Sequence, residues 1–179
     1  MPRAIEITRE RNDGPLLTAC GASAAVGGIF GAVARTPWKI TSPLFRGDQA
    51  NGPAVPNPAS KTGIVEHILF LEGRGRDTPY SSTTESEEVA EFFAGGGGRV
   101  WTTTVKAASA EGAAHLPRKQ LLQNLKGFGT GKAKWHDAYE VAQAARYVEE
   151  WSEHLLGWRA VNPTSVDAAV RRAFRKRLS

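Results

Sequence analysis

Residues 80–105 restrict the fold more than any other stretch of the 179-residue chain. Tyr80-Ser81-Ser82-Thr83-Thr84 combines aromatic, hydroxyl and β-branched residues and reads as a strand. Glu85 to Phe93 follows at once and reads as a helix. Thr84 or Ser86 can cap it, Glu87 and Glu88 lie in the first turn where the helix dipole favours negative charge, and Val89, Phe92 and Phe93 supply an apolar face. Gly95 to Gly98 then stop that helix, and Val100 to Val105 predicts a further strand. Short strands mixed with helices, without regular βαβ alternation, predict an α+β fold rather than a doubly wound sheet.

The segments on either side carry weaker signals. Residues 4–9 alternate around Ile5 and Ile7, and Trp38 to Ile40 is a strand-like piece between Pro37 and Pro43. Leu44-Phe45 leads into Arg46-Gly47-Asp48, and the prolines and asparagines of residues 50–61 mark a loop. Ile64 to Leu71 is apolar and fits either a helix or a strand, and Gly73 to Asp77 is a basic turn. Leu116 to Leu125 reads as a short helix and Gly127 to Gly131 as a loop. In Ala138 to Trp158 the apolar residues Val141, Ala144, Val148, Trp151, Leu155 and Trp158 step by three and four, which predicts one long helix. Val166 to Leu178 is a last helix candidate, carrying Arg171, Arg172, Arg175, Lys176 and Arg177. The expected organisation is a glycine- and alanine-rich lead segment over residues 1–40 and one domain over 41–179.

Composition removes several function classes. One cysteine, Cys20, excludes an intrachain disulfide framework and a cysteine-rich zinc module. His67, His115, His136 and His154 are scattered without metal-ligand spacing, so no metal is expected. Gly127-Phe128-Gly129-Thr130-Gly131-Lys132 fails as a phosphate loop, because Lys126 stands where the first glycine belongs and Ala133 where a hydroxyl is needed. Leu16 to Ala34 is uncharged for 19 residues. Its glycines and alanines read as a packed or surface segment, with a membrane span as the other reading, and no stable membrane association is expected. Charged Arg9-Glu10-Arg11-Asn12-Asp13 precedes it, which is not a conventional signal peptide. The formal net charge of +5 favours a polyanionic or phosphate-bearing partner.

Three parts remain as candidate chemistry: Phe45-Arg46-Gly47, then Ser82-Thr83-Thr84 with Glu88-Val89-Ala90-Glu91-Phe92-Phe93, then acidic residues further along, with Glu140 foremost. In this order they resemble the ADP-ribosyltransferase superfamily, in the branch built on arginine, a Ser-Thr-Ser motif and glutamate. Short size and basic balance also look like toxin domains of bacterial polymorphic, Rhs-type effectors used in interbacterial competition. The resemblance covers residues 42–106 and more loosely extends to 160. It implies a mixed fold with a small split β-sheet core flanked by helices. It implies NAD as the cofactor, no metal, and mono-ADP-ribosyl transfer to RNA or protein in the cytoplasm of a recipient cell, with a cognate immunity protein as a further partner.

On that resemblance, Arg46 binds the pyrophosphate, Gly47 lets the backbone approach the nicotinamide, and Ser82, Thr83 and Thr84 line the cofactor site, with Arg46 and Ser82 also catalytic, the serine orienting the carboxylate and the ribose. Glu140 is the catalytic carboxylate because it follows the glycine-rich loop. The family presents its glutamate at the start of a strand, however, which keeps Glu149, Glu150 and Glu153 as rivals, and Glu85 and Glu88 as remoter ones. Those residue types suit the chemistry: a guanidinium fork binds phosphate oxygens in pairs, and a carboxylate stabilises the oxocarbenium-like charge of glycosidic cleavage. An NAD glycohydrolase is one alternative. A non-enzymatic nucleic-acid-binding module, docking through the basic C-terminal helix, is another.

Overall fold

The computed structural model describes residues 38–48, 52–70, 77–126 and 137–177. All of them belong to one compact unit, Trp38–Ser179. The predicted strand at 4–9, the uncharged segment at 16–34, most of the basic turn at 73–77 and the loop at 127–131 lie outside the described residues.

The elements in chain order are β1 (Leu44–Asp48), α1 (Ile64–Ile68), β2 (Tyr80–Thr84), α2 (Glu87–Ala94), β3 (Arg99–Thr103), α3 (Val105–Ala110), β4 (Ala114–Leu116), α4 (Arg118–Asn124), α5 (Ala138–Glu150), β5 (Glu153–Gly157), α6 (Val166–Ala173) and β6 (Arg175–Lys176). The fold is α+β, as the mixed order predicts. The strands form one sheet in the order β4-β5-β2-β1-β3-β6, and the pairs within it are antiparallel.

One feature of the register shapes the rest. β1 pairs with β3 over five residues and β2 with β5 over five, but β1 and β2 share a single registered pair, Phe45 with Thr84. The sheet is therefore two three-stranded halves hinged at that pair.

Two cores pack against the sheet, one on each face of β5. Val65, Ile68, Leu121, Leu125, Val141, Ala144 and Val148 from α1, α4 and α5 pack with Leu155. Leu156 and Trp158 pack with Ala108, Val166, Ala169, Val170 and Ala173 of α3 and α6. Leu155 and Leu156 are both fully buried because successive side chains of β5 face opposite layers.

That double burial explains the main departure from the sequence reading. Ala138 to Trp158 is not one helix. α5 stops at Glu150, Ser152 takes a positive φ of 49°, and Glu153–Gly157 becomes a strand buried at every residue. Leu155 and Trp158 continued the helical step by coincidence, since a short apolar run buried on both faces has no period of its own.

Other boundaries moved for local reasons. β3 ends at Thr103, because Thr104 caps α3 by accepting the Ala107 N–H at 3.1 Å, so Val105 opens a helix. The helix expected over 116–125 begins after Pro117, with β4 ahead of it. The C-terminal helix ends at Ala173, and Arg175–Lys176 pair with Trp101 and Thr102. Trp38 to Ile40 is not a strand but leads into a turn closed by Ser42 N–H to the Lys39 carbonyl at 2.7 Å. The apolar stretch that opens at Ile64 is a helix over Ile64–Ile68, α1. Ser86 caps α2, accepting from the Val89 N–H at 3.3 Å.

Candidate active site

The hinge between the two half-sheets gathers the arginine and the serine. Continuing the register from Phe45–Thr84 would set Gly47 opposite Ser82. Instead the Ser82 carbonyl accepts a hydrogen bond from Arg46 Nη1 at 3.0 Å, so a side chain stands where the ladder stops. Arg46 also forks onto Asp48, donating from Nε to Oδ2 at 2.7 Å and from Nη2 to Oδ1 at 3.0 Å. Both side chains are mostly buried, at 14% and 11% exposure. A guanidinium has five N–H donors in a rigid fork, so two remain beyond these three bonds.

The four serine and threonine hydroxyls of β2 do different work. The Ser81 hydroxyl accepts from Trp158 Nε1 at 3.1 Å in the core. Thr83 donates to the His154 carbonyl at 3.1 Å, and Thr84 donates to the Trp151 carbonyl at 2.6 Å while accepting from the Ser86 N–H. Thr83 and Thr84, expected in a cofactor site, thus tie β2 to β5 and to the turn before it. Ser82 alone of the four is half-buried. Its hydroxyl meets His67 Nε2 at 2.9 Å, and His67 Nδ1 meets Thr78 Oγ1 at 2.8 Å.

Gly47 has a different reason to be glycine than the one expected. A Cβ built on it would lie 1.9 Å from the Ala90 carbonyl oxygen and 2.5 Å from the Ala94 N. The residue is small so that α2 can press against β1.

The acidic candidates separate clearly. Glu140 lies in the first turn of α5, after the N-cap Asp137, where its charge suits the helix dipole. It stands roughly 15 Å along the helix from Glu150, at 1.5 Å per residue. Glu149 is exposed on the same helix and lines a shallow basic groove with Arg118, Lys119 and Lys126. Glu150 pairs with Arg146 at 2.6 Å and Glu88 is exposed on α2.

Glu153 is the glutamate that heads a strand, and that strand is the neighbour of β2. It is only 4% exposed and stands directly opposite Thr84. Opposed residues of an antiparallel pair share a face, so Glu153 shares one with Thr84 and Ser82, and Ser82 is its diagonal neighbour at roughly 7–8 Å between backbones.

Glu85 belongs to a second cluster. Its Oε1 meets His154 Nε2 at 3.0 Å and Arg118 Nε at 3.5 Å, and His154 Nδ1 meets His115 Nε2 at 2.9 Å. The Trp38 ring lies over both imidazoles, 4.5 Å from His154 and 5.8 Å from His115. Burial, and secondarily the neighbouring His154, push the His115 pKa down from 6.5 to about 4.

His67, His115 and His154 were all passed over in the sequence, because each is a single histidine without a spaced partner. The one signal lay in His67 itself. An imidazole inside the apolar run Ile64 to Leu71 must find hydrogen-bond partners, since burying a polar group without them costs on the order of 2–7 kcal/mol.

The basic tail is less available than its composition implies. Arg171 pairs with Asp167 at 3.0 Å, Arg172 with Glu111 at 2.7 Å and Arg177 with Glu87 at 2.7 Å. Among the described residues no His, Cys, Asp and Glu cluster is arranged to hold a metal, and no helix is long and apolar enough to cross a membrane. No family model, curated protein or solved structure matches the chain.

Proposed function

We propose that this chain is an NAD-dependent mono-ADP-ribosyltransferase, a toxin domain acting on a macromolecule of a target cell. Its working residues are Arg46, Ser82 and Glu153. One observation carries the reading: the three stand on the adjacent strands β1, β2 and β5, beside a hinge where the sheet opens and Arg46 already reaches across to Ser82. The carboxylate role passes from Glu140 to Glu153, because Glu153 heads a strand next to the Ser-Thr-Thr segment whereas Glu140 opens a helix.

The residues fit the cofactor. Asp48 holds the Arg46 fork in one orientation, and the two N–H donors without a hydrogen bond among the described residues can bind pyrophosphate oxygens. Ser82 orients a ribose hydroxyl or the Glu153 side chain. Glu153 is buried, and a carboxylate in such a low-dielectric setting best stabilises positive charge developing on the ribose. NAD⁺, when bound, supplies the ribosyl carbon. The glycosidic C–N bond breaks with its electron pair leaving on nicotinamide, the carbon bonds to an acceptor oxygen or nitrogen, and the acceptor's proton is released.

The acceptor is RNA or protein. The carboxylate partners of Arg171, Arg172 and Arg177 weaken the case for RNA made by charge alone. The test is incubation of the chain with adenylate-labelled NAD⁺ and a cell lysate, followed by separate ribonuclease and protease digestion. Nicotinamide release with label on one macromolecule supports transfer and names the acceptor class. Release with only free ADP-ribose makes the chain a glycohydrolase, and no release with either acceptor overturns the reading.

A further inference from the structure

We propose that Thr78 and His67 form a relay that holds the Ser82 hydroxyl as a hydrogen-bond donor toward Glu153 and the ligand, which makes His67 a positioning residue. The inference deepens the reading of the Arg46, Ser82 and Glu153 site and rests on it.

A hydroxyl oxygen can accept twice, so the two hydrogen bonds of the ring allow either tautomer, and the proposed direction is the one that leaves Ser82 a proton for the ligand. The Thr78 hydroxyl oxygen accepts the Tyr80 backbone N–H at 3.3 Å, leaving its own proton to be placed. In the proposed direction His67 Nδ1, 2.8 Å away, accepts it. A neutral imidazole carries one N–H, so the proton then sits on Nε2, which donates to Ser82 Oγ at 2.9 Å. Ser82, having accepted, turns its own proton away from the histidine. The opposite tautomer would have Ser82 give its proton to Nε2 and present only lone pairs to a ligand.

The ring is held for this task. His67 is 3% exposed, and the Tyr80 ring packs edge-on against it at 5.4 Å and 61°. Val65 and Ile68 of the same short helix are fixed in the core. The relay thus reaches from the turn before β2, through α1, and back to the middle of β2.

The first readout does not need activity. Long-range ¹H–¹⁵N correlation on the full chain, with ¹⁵N-labelled histidine, should show His67 protonated at Nε2 and bare at Nδ1. Ser82→Ala should shift the Nε2 resonance, and Thr78→Val should remove the tautomer preference. A wild-type ring protonated at Nδ1 overturns the relay.

The second readout is kinetic. In His67→Gln the amide nitrogen can replace Nε2 and donate to Ser82, whereas in His67→Asn it reaches only Thr78. Nicotinamide release by His67→Gln should stay within ~3-fold of wild type. His67→Asn should lose about 10–100-fold in kcat with little change in KM for NAD⁺, the size of effect typical of residues that orient a working group. Equal losses in the two variants would mean that His67 serves only the fold. A wild-type chain that releases no nicotinamide sinks the activity reading instead, and the tautomer result then decides the relay by itself.

Discussion

Acidification should weaken the fold through His115. Its pKa lies at about 4 in the folded chain against 6.5 ordinarily, because the ring is partly buried and faces His154. The unfolded chain therefore binds a proton below about pH 6.5 that the folded chain resists until about pH 4. The stabilisation from this residue is complete above 6.5, falls as pH drops through that window, and is gone below it. At about 1.4 kcal/mol per tenfold change in proton affinity the gap corresponds to roughly 3.4 kcal/mol, and solvent screening of a half-exposed ring reduces it to ~1–2 kcal/mol.

The measurement is urea unfolding between pH 7.5 and 4, for wild type and for His115→Phe. Phenylalanine keeps a ring beside Trp38 and His154 but does not titrate. It loses the bond to His154 Nδ1, so it starts less stable at neutral pH. Carboxylates contribute acid lability to both chains, so the difference between the slopes is the test. Wild type should lose ~1–2 kcal/mol more than the variant across the window. Parallel curves would show that protonation of His115 is not resisted by the fold.

Other perturbations test separate parts of the molecule. Gly47→Ala drives a methyl into the Ala90 carbonyl and should cost on the order of 3 kcal/mol, read as a Tm lowered by roughly 6–12 °C; an unchanged Tm would refute the helix-packing role. Glu153→Gln should lower nicotinamide release about 100-fold or more, while Glu140→Gln stays within a few-fold; the reverse ranking returns the carboxylate role to α5. Arg46→Lys keeps the charge but loses the fork, and should weaken NAD⁺ binding about 10-fold or more in calorimetry, whereas wild-type affinity would remove Arg46 from the phosphate site.

Much of the candidate site was legible because its parts are local. Ser82-Thr83-Thr84 and the capped helix after it lie in one short stretch, and Arg46 and Gly47 stand out beside an apolar pair. What the sequence did not show were the partners inside the fold. Gly47, Thr83 and Thr84 looked like ligand contacts, and in the fold they are held by Ala90, His154 and Trp151. Those partners lie 43 to 71 positions away in the chain, and no local pattern encodes them.

The sequence by itself determined the α+β class, the strand at residues 80–84, the Ser86-capped helix behind it and the amphipathic first part of the 138–158 segment. Propensity, capping and hydrophobic period act over a few residues, so they can be read along the chain. Only the tertiary structure decided that Glu153–Gly157 is a strand, since burial on both faces erases the alternation that would mark it. Only the tertiary structure set β1 and β5 on either side of β2, so that Arg46 and Glu153 stand on the two strands next to Ser82. Strand pairing joins residues by hydrogen bonds between backbones, and the backbone is the same at every position, so the choice of partner falls to the packing of the whole sheet.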